Sequence, residues 1–402
     1  FVDKINIFGN NVTKESVIRN QLELDEGDPF NEVLFTRSIN NIKSLNFFKD
    51  VKTDVQNNNE NETKIITINV EEKPTGEIMA GAGFGTSGTT TTFGVKENNY
   101  LGSGVSLDAK LDLSEESIKG KMTLNNPNFN NSNKSIYTNI QSSETDRLTD
   151  FGYKTNKTGF TLGTEFEYFD DFFLGMGVNS YYESIKTDST ASSQQKKLKG
   201  NYFDNFLSLN FDYDKRNQKF QTTQGFRNYF ATDLPIVSET NTLSNTFIIS
   251  SYIEYLDNHV LKSSFYFKNS NSISGDNIKL SERLYLPSNR LRGFESGKIG
   301  PKDGNDFIGG NYISSLNFSS DVPKLLENSQ TTDLKIFLDI ANVWGVDYDA
   351  SLEKSDDIKS AVGIGLDWFS PIGPMNFTLS QHLSKGSNDV TESFRFNLGT
   401  TF

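Results

Sequence analysis

The chain has 402 residues, with 39 Lys plus Arg against 52 Asp plus Glu and a formal net charge of −13. That balance argues against a nucleic-acid binder, because phosphate recognition needs a basic face. With no cysteine, disulfide frameworks and Cys metal sites are excluded, and the chain fits a compartment where free thiols would be oxidised. Mean hydropathy is −0.52, and no stretch reaches the roughly 18 apolar residues that a membrane helix needs. Yet 33 Phe, 15 Tyr and 31 Gly stand beside 9 Pro and 4 Met. Aromatic, glycine-rich composition at low mean hydropathy suits strands that alternate lipid-facing and lumen-facing residues. A secreted β-solenoid or sandwich has similar composition. Phe1 already lies in a strand pattern, so the chain reads as a piece of a longer protein with further domains upstream.

Val2–Phe8 alternates as a strand and Gly9-Asn10 ends it. Thr13 is placed to cap a helix over 14–21, Gly27-Asp28-Pro29 breaks the chain, and Asn31 caps a second helix running to Leu45. On that helix Val33 or Leu34, Leu34 or Ser38, and Ile42 with Leu45 share the apolar spacing. Residues 49–56 and 64–71 read as strands about a polar turn at 57–61, giving the order β-α-α-β-β. With Gly9-Asn10, Gly27-Asp28-Pro29-Phe30 and Asn46-Phe47-Phe48 in place, the segment resembles a POTRA domain, the periplasmic module of outer-membrane insertases and transporters. The alternative is any other small α/β domain.

From residue 76 onward the pattern changes to period-two alternation in runs of about 9 to 12 residues, the length a tilted strand needs to cross a bilayer. Val105, Leu107, Ala109, Leu111 and Leu113 oppose Ser106, Asp108, Lys110 and Asp112; Phe160, Leu162, Phe166 and Tyr168 oppose Thr161, Gly163, Glu165 and Glu167. The same holds for Leu207 to Asp214, for Leu334, Ile336, Leu338 and Ile340 against Lys335, Phe337, Asp339 and Ala341, and for Val362, Ile364, Leu366 and Trp368 against Ala361, Gly363, Gly365 and Asp367. A soluble sandwich also alternates; strand length and the continuous meander favour a barrel. About sixteen strands can be counted, an even number as single-chain barrels require, and closure removes the edges such strands would expose. The expected fold is a 16-stranded antiparallel transmembrane β-barrel over 76–402, preceded by the α/β module over 1–75. With that module periplasmic, connections at 98–104, 170–171, 256–259 and 370–374 are short, 184–199, 271–307 and 345–359 are the long outward loops, and 320–331 is a longer periplasmic exception.

The richest stretch is Leu291-Arg292-Gly293-Phe294, followed by Ile299-Gly300-Pro301-Lys302-Asp303 and Gly309-Gly310-Asn311. It resembles the sixth extracellular loop of BamA-type insertases, whose hallmark is an R-G-F/Y tripeptide. In that family the loop folds into the lumen and its Arg pairs with an Asp in a wall strand reading F-x-D-x-G-N-x-W. Here Phe337 to Trp344 matches, with Ala341 in place of the Gly, and alternation turns Asp339 inward. A desolvated Arg needs a carboxylate, and a bidentate pair would pin the loop; the plainer reading is a turn that Gly293 permits. The approach Leu286-Pro287-Ser288-Asn289-Arg290 lacks the glycines usual in the family. Asp214, Arg216 and Gly225 resemble the family's D-x-R…P-x-x-G turn, with Thr222 where Pro is common. Asn99 to Gly104 and Asn126-Pro127-Asn128-Phe129 are further family-like turns.

The last strand, 391–402, sets Phe394, Phe396, Leu398 and Phe402 against Arg395, Asn397, Gly399 and Thr401. Its terminal aromatic, with Gly399 three residues earlier, resembles the β-signal by which insertases recognise clients; an ordinary amphipathic strand is the alternative. The first barrel strand, 76–86, carries Gly76, Gly81, Gly83 and Gly85. Glycine weakens strands, so a feeble seam between the first and last strands is expected, able to open and template a client strand; relief of crowding near the domain junction is the other reading. The resemblance implies an outer-membrane assembly factor with no enzymatic chemistry, cofactor or metal. Its partners would be unfolded outer-membrane clients, accessory outer-membrane lipoproteins, periplasmic chaperones and the lipid bilayer, and Arg292 with Asp339 would stiffen the barrel opposite the seam. A two-partner secretion or autotransporter-assembly homologue shares the plan, an organelle homologue with one POTRA domain is conceivable, and a passive porin is the different-class alternative. Only His259 and His382 exist, near opposite rims by the strand count, so a shared His site is excluded.

Overall fold

The computed structural model describes all residues except 59–62, 87, 133, 220–221, 257–258, 323–331, 353–356, 371–372 and 402. Part of the expected turn at 57–61, most of the loop at 320–331, and Phe402 lie outside the described residues. The chain divides into two compact units, one of Phe1–Met79, Gly94–Lys110 and Met122–Tyr137, the other of Ala80–Phe93, Leu111–Lys121 and Thr138–Phe402.

The first unit opens with β1 (Val2–Phe8), α1 (Glu15–Arg19), α2 (Glu32–Ser44), β2 (Phe48–Asn58) and β3 (Thr63–Glu72), in the expected β-α-α-β-β order. The sheet order is β1-β3-β2, with β1 parallel and β2 antiparallel to the central β3. Ile5, Ile66 and Ile68 of the sheet pack on Ile18, Ile39 and Ile42 of the helices. Asn31 caps α2, its Oδ1 accepting the N–H groups of Val33 and Leu34 at 2.9 and 3.3 Å. Val33, expected on the buried face, is exposed; it lies nine residues from the centre of the stripe at Ile42, about half a turn round at 3.6 residues per turn.

Thr13 does not cap α1. Lys14 holds that position without a side-chain bond, and tertiary partners take Thr13 instead: its N–H donates to Glu72 Oε1 at 2.6 Å and its Oγ1 accepts from Asn99 Nδ2 at 2.9 Å. Asn99 also braces its own turn through Gly104 N–H at 2.8 Å, and Lys14 N–H donates to Gly102 O at 2.8 Å. Gly102 sits at φ 67°, and a Cβ there would lie 1.9 Å from Val12 O, so only glycine fits. Burial pulls the Glu72 carboxyl upward, but its bonds from Thr13 and from Val12 N–H outweigh this and hold it below the usual carboxylate range. A depressed folded value means that the bond's contribution is complete above the unfolded glutamate pKa of about 4.3 and is lost as pH falls through the lower folded value. Glu72→Gln is therefore expected to speed amide exchange at Val12 and Thr13, corrected for intrinsic pH dependence, at pH 6. The gap from the parent should shrink progressively below about pH 4; a gap independent of pH would refute the assignment.

The remaining strands are β4 (Gly76–Gly85), β5 (Gly88–Tyr100), β6 (Val105–Ser114), β7 (Ser117–Asn126), β8 (Lys134–Arg147), β9 (Tyr153–Phe169), β10 (Phe172–Thr187), β11 (Gly200–Asp214), β12 (Gly225–Val237), β13 (Thr242–Leu256), β14 (His259–Ser272), the small loop hairpin β15 (Lys302–Asp303) and β16 (Asp306–Phe307), then β17 (Tyr312–Asp321), β18 (Thr332–Trp344), β19 (Lys359–Ser370), β20 (Gly373–Ser384) and β21 (Phe394–Thr401). Short helices α3 (Leu148–Phe151) and α4 (Ser193–Lys197) lie in two of the connections. All but the hairpin join one closed barrel of sixteen strands in sequence order, sealed by β21 on β4.

Alternation puts large apolar side chains outside: Leu162, Met176, Ile249, Ile336 and Ile364 are all exposed, while Glu183, Asp204, Asp339 and Arg395 are buried. That inversion of a water-soluble protein is what a lipid-facing wall with a polar lumen requires. Strands β9 and β10 run to 17 and 16 residues, longer than expected. Their far ends do more than cross a bilayer: Tyr153 and Ile185 pack with Leu280 and Phe307 of the long 273–311 connection.

Candidate functional site

The 273–311 connection folds onto the barrel wall and carries the tripeptide. Arg292 Nε and Nη2 donate to the two oxygens of Asp339 at 2.8 Å each, and Arg292 N–H donates to Oδ2 at 3.0 Å. Asn317 Nδ2, from the neighbouring β17, supplies a further bond to Asp339 Oδ1 at 2.8 Å and donates to Arg290 O at 2.7 Å. Asp339 is fully buried yet accepts four donors, so the polar group that burial takes from water is satisfied by the protein. The guanidinium lies over the Phe337 ring, 3.5 Å from its centroid.

Gly293 follows at φ 92°, and a Cβ there would approach Ala361 Cβ at 3.1 Å and Ser380 Cβ at 3.3 Å. The tripeptide therefore presses directly on β19 and β20, and a side chain would hold it off. Phe294 is buried among Leu284, Leu286, Leu291, Ile299, Val343 and Ala361. Ala341 belongs to the same cluster, so the departure from the family's Gly is absorbed as apolar packing. The glycine-poor approach closes as a turn, Arg290 N–H donating to Pro287 O at 2.9 Å.

The seam is the second feature. β21 pairs with β4 only from Asn397 opposite Gly85 to Thr401 opposite Gly81 among the described residues, and with β20 only from Phe394 to Leu398. By contrast β9 and β10 pair along the whole length of β10. Gly81, Gly83 and Gly85 thus lie on the seam ladder, with Gly399 facing Gly83. Gly76 does not: it lies below the paired stretch, and a Cβ on it would meet Glu97 Oε2 of β5 at 3.1 Å. Nor is every seam glycine a void. A Cβ on Gly85 would sit 2.5 Å from Phe396 O, so there glycine relieves crowding, whereas Gly399 has nothing within 4 Å. Phe396 pairs with Phe377 across β20, ring centroids 5.1 Å apart, and its carbonyl accepts from Thr86 N–H at 3.0 Å.

The last strand starts at Phe394 rather than Thr391. Thr391 instead bridges to Phe294, Glu295 N–H donates to Val390 O at 3.0 Å, and Glu392 N–H donates to Gly293 O at 3.0 Å. This ladder corrects a further expectation. The lock does not lie opposite the seam: β18 is three strands from β21, and the loop grips the segment leading into the seam strand itself. Alternation sets Arg395 opposite Phe394 and Phe396 but gives no sign of its distant partners, which are backbone carbonyls of the long loop. The Asp214–Arg216 pair forms bidentately, at 2.7 Å for both bonds, and Thr222 Oγ1 closes its turn on Gln218 O at 2.7 Å in the position where Pro is usual. His259 heads β14 while His382 is near the end of β20, strands of the same direction, so the two are at opposite ends.

A family model described as the Omp85 superfamily domain matches residues 99–402, and a POTRA model, described as surface antigen variable number repeat, matches 1–73. The outer membrane protein assembly factor BamA of Neorickettsia risticii is 25% identical over 100% of this chain and 55% of its own length; that of Neisseria meningitidis is 23% identical over 100% and 56%. The chain thus spans about half the length of these relatives. Among solved structures, BamA from Haemophilus ducreyi lacking POTRA domains 1–3 has the same fold at a TM-score of 0.94 and 22% identity, covering 100% of this chain and 84% of that one. CdiB from Escherichia coli reaches 0.60 at 13%, covering 100% and 76%. The chain belongs to the Omp85 superfamily, and its full length is similar to BamA-type assembly factors.

Proposed function

We propose that the chain is the working core of an outer-membrane protein assembly factor. In this reading residues 1–75 are a periplasmic POTRA module that receives unfolded β-barrel clients, and 76–402 are the barrel that inserts them into the outer membrane through the seam between β4 and β21. Accessory outer-membrane lipoproteins and periplasmic chaperones deliver and regulate these clients. Arg292, Gly293, Phe294 and Asp339 lock the long loop inside. The observation that carries the reading is the short ladder between β21 and a glycine-bearing β4, five residues long where each ladder from β9 round to β20 runs to nine or more. Backbone groups freed in lipid have no water to turn to, so an opened seam favours any strand that can pair with it.

A secretion transporter of the same POTRA-barrel plan, which the two family matches also allow, is the second reading. A passive porin fits poorly, since the loop is anchored within the wall by Arg292 on the fully buried Asp339. The full-length protein, reconstituted into liposomes, is expected to speed folding of urea-solubilised barrel clients at least tenfold over protein-free liposomes while giving little steady conductance. Steady conductance with no acceleration of client folding would support a pore and defeat the assembly reading.

A further inference from the structure

The long loop touches the wall in more places than its tripeptide, and those places are not on one side. Lys279, nine-tenths or more buried, sits within 3.6 Å of Glu183 on β10, bonds to Asp204 on β11, and lies 3.1 Å from Glu282. Ser281 Oγ donates to Glu183 at 2.9 Å. With β4 counted as the first of the ring of sixteen, β10 and β11 are the seventh and eighth strands, so this anchor lies on the wall facing the seam. The loop then passes the Arg292–Asp339 pair on β18 and ends its crossing at β21.

There the contact is made by Arg395, a buried residue of the seam strand. Its Nη1 donates to Ser288 O at 2.9 Å and its Nη2 to Phe294 O at 2.7 Å, both on the loop. A single Glu392 oxygen, Oε2, accepts from Arg395 Nε at 2.9 Å and from Nη2 at 2.7 Å. A planar fork reaches two carbonyls and a carboxylate at once, which an ammonium cannot do with the same geometry. β21 has only five-residue ladders to either neighbour, so these bonds are a large part of what retains it.

We propose that the loop is a strut across the barrel, fixed at β10 and β11 by Lys279, and that Arg395 is its clasp on the seam strand, a positioning residue that sets how readily β21 parts from β4. The strut couples the two sides: the tripeptide cannot leave the wall without taking the clasp's acceptors, Ser288 and Phe294, with it. The inference rests on the reading of β4 and β21 as the working seam.

The test is site-resolved amide hydrogen exchange on the full-length protein in nanodiscs, without client. Arg395→Ala is expected to raise exchange in β21 and in the Gly81–Gly85 stretch of β4 at least tenfold, with β10 and β11 unchanged. Arg395→Gln, which keeps one amide donor, should give a smaller rise at the same sites, and it decides by the same criteria should the alanine variant fail to fold. Unchanged exchange in β21 would overturn the clasp. A rise spread evenly round the barrel would overturn it equally, since that is what a purely structural residue gives. Because no client is present, the outcome is independent of whether the seam inserts proteins.

Discussion

Cysteines replacing Gly83 and Gly399 are expected to stop client insertion under oxidising conditions and to release it again on reduction. The two positions face each other across the seam. Gly399 has open space for a side chain, and a Cβ on Gly83 meets first the hydroxyl of Thr90 at 3.1 Å, the end of a short side chain rather than backbone. Facing residues in an antiparallel pair hold their Cβ atoms about 4.5–5.5 Å apart, close enough for a disulfide after slight adjustment. These 402 residues contain no cysteine, so within them the bond has no competitor. Five residues of ladder leave far fewer bonds to break at the seam than the sixteen paired residues between β9 and β10, so the seam is where a minority of molecules opens. A ladder as long as that between β9 and β10 would be effectively closed. Covalent closure removes even that minority, and insertion in liposomes should fall at least a hundredfold, with the matching serine pair close to the parent. Full insertion by the oxidised protein would end the lateral-seam account.

The barrel was legible because its information is local and repeated. Alternation such as Val362 to Asp367 states strand, face and lumen in a single run, and sixteen such runs leave few topologies. The loop lock was legible for a different reason: Arg292 and Asp339 each sit in a motif whose resemblance names the other. What the sequence hid is non-local. Thr13 has every local mark of a helix cap, but Glu72 and Asn99, far along the chain, compete for it and win. Thr391 to Ser393 continue the alternation of the last strand, yet Phe294 takes the backbone of Thr391 into a different ladder. Lys279 and Arg395 bond to groups with no sequence pattern at all, the latter to backbone carbonyls that any residue carries. Gly76 shows the limit of reading glycines by composition: it belongs to the first strand but not to the seam ladder.

Arg292→Ala should produce the largest loss of stability of any single change in the loop. Asp339 is fully buried and loses two of its four donors together with the guanidinium paired with it; stripping one partner from such a pair costs about 3–5 kcal/mol, because the remaining charge stays desolvated. The Phe337 ring loses its stacked cation as well. Thermal loss of the heat-resistant folded band on a gel reads the cost, and protease cleavage within 284–300 reads release of the loop; both should shift strongly. Arg292→Lys should recover little, since one ammonium cannot serve both carboxylate oxygens in that geometry. The decisive comparison is the double variant Arg292→Ala/Asp339→Ala. If the two act as one pair, removing both leaves no orphaned charge, and the double variant should be more stable than the sum of the single losses by about 2 kcal/mol. Additive losses would mean that Arg292 holds the loop by packing alone, and the lock as described would fail.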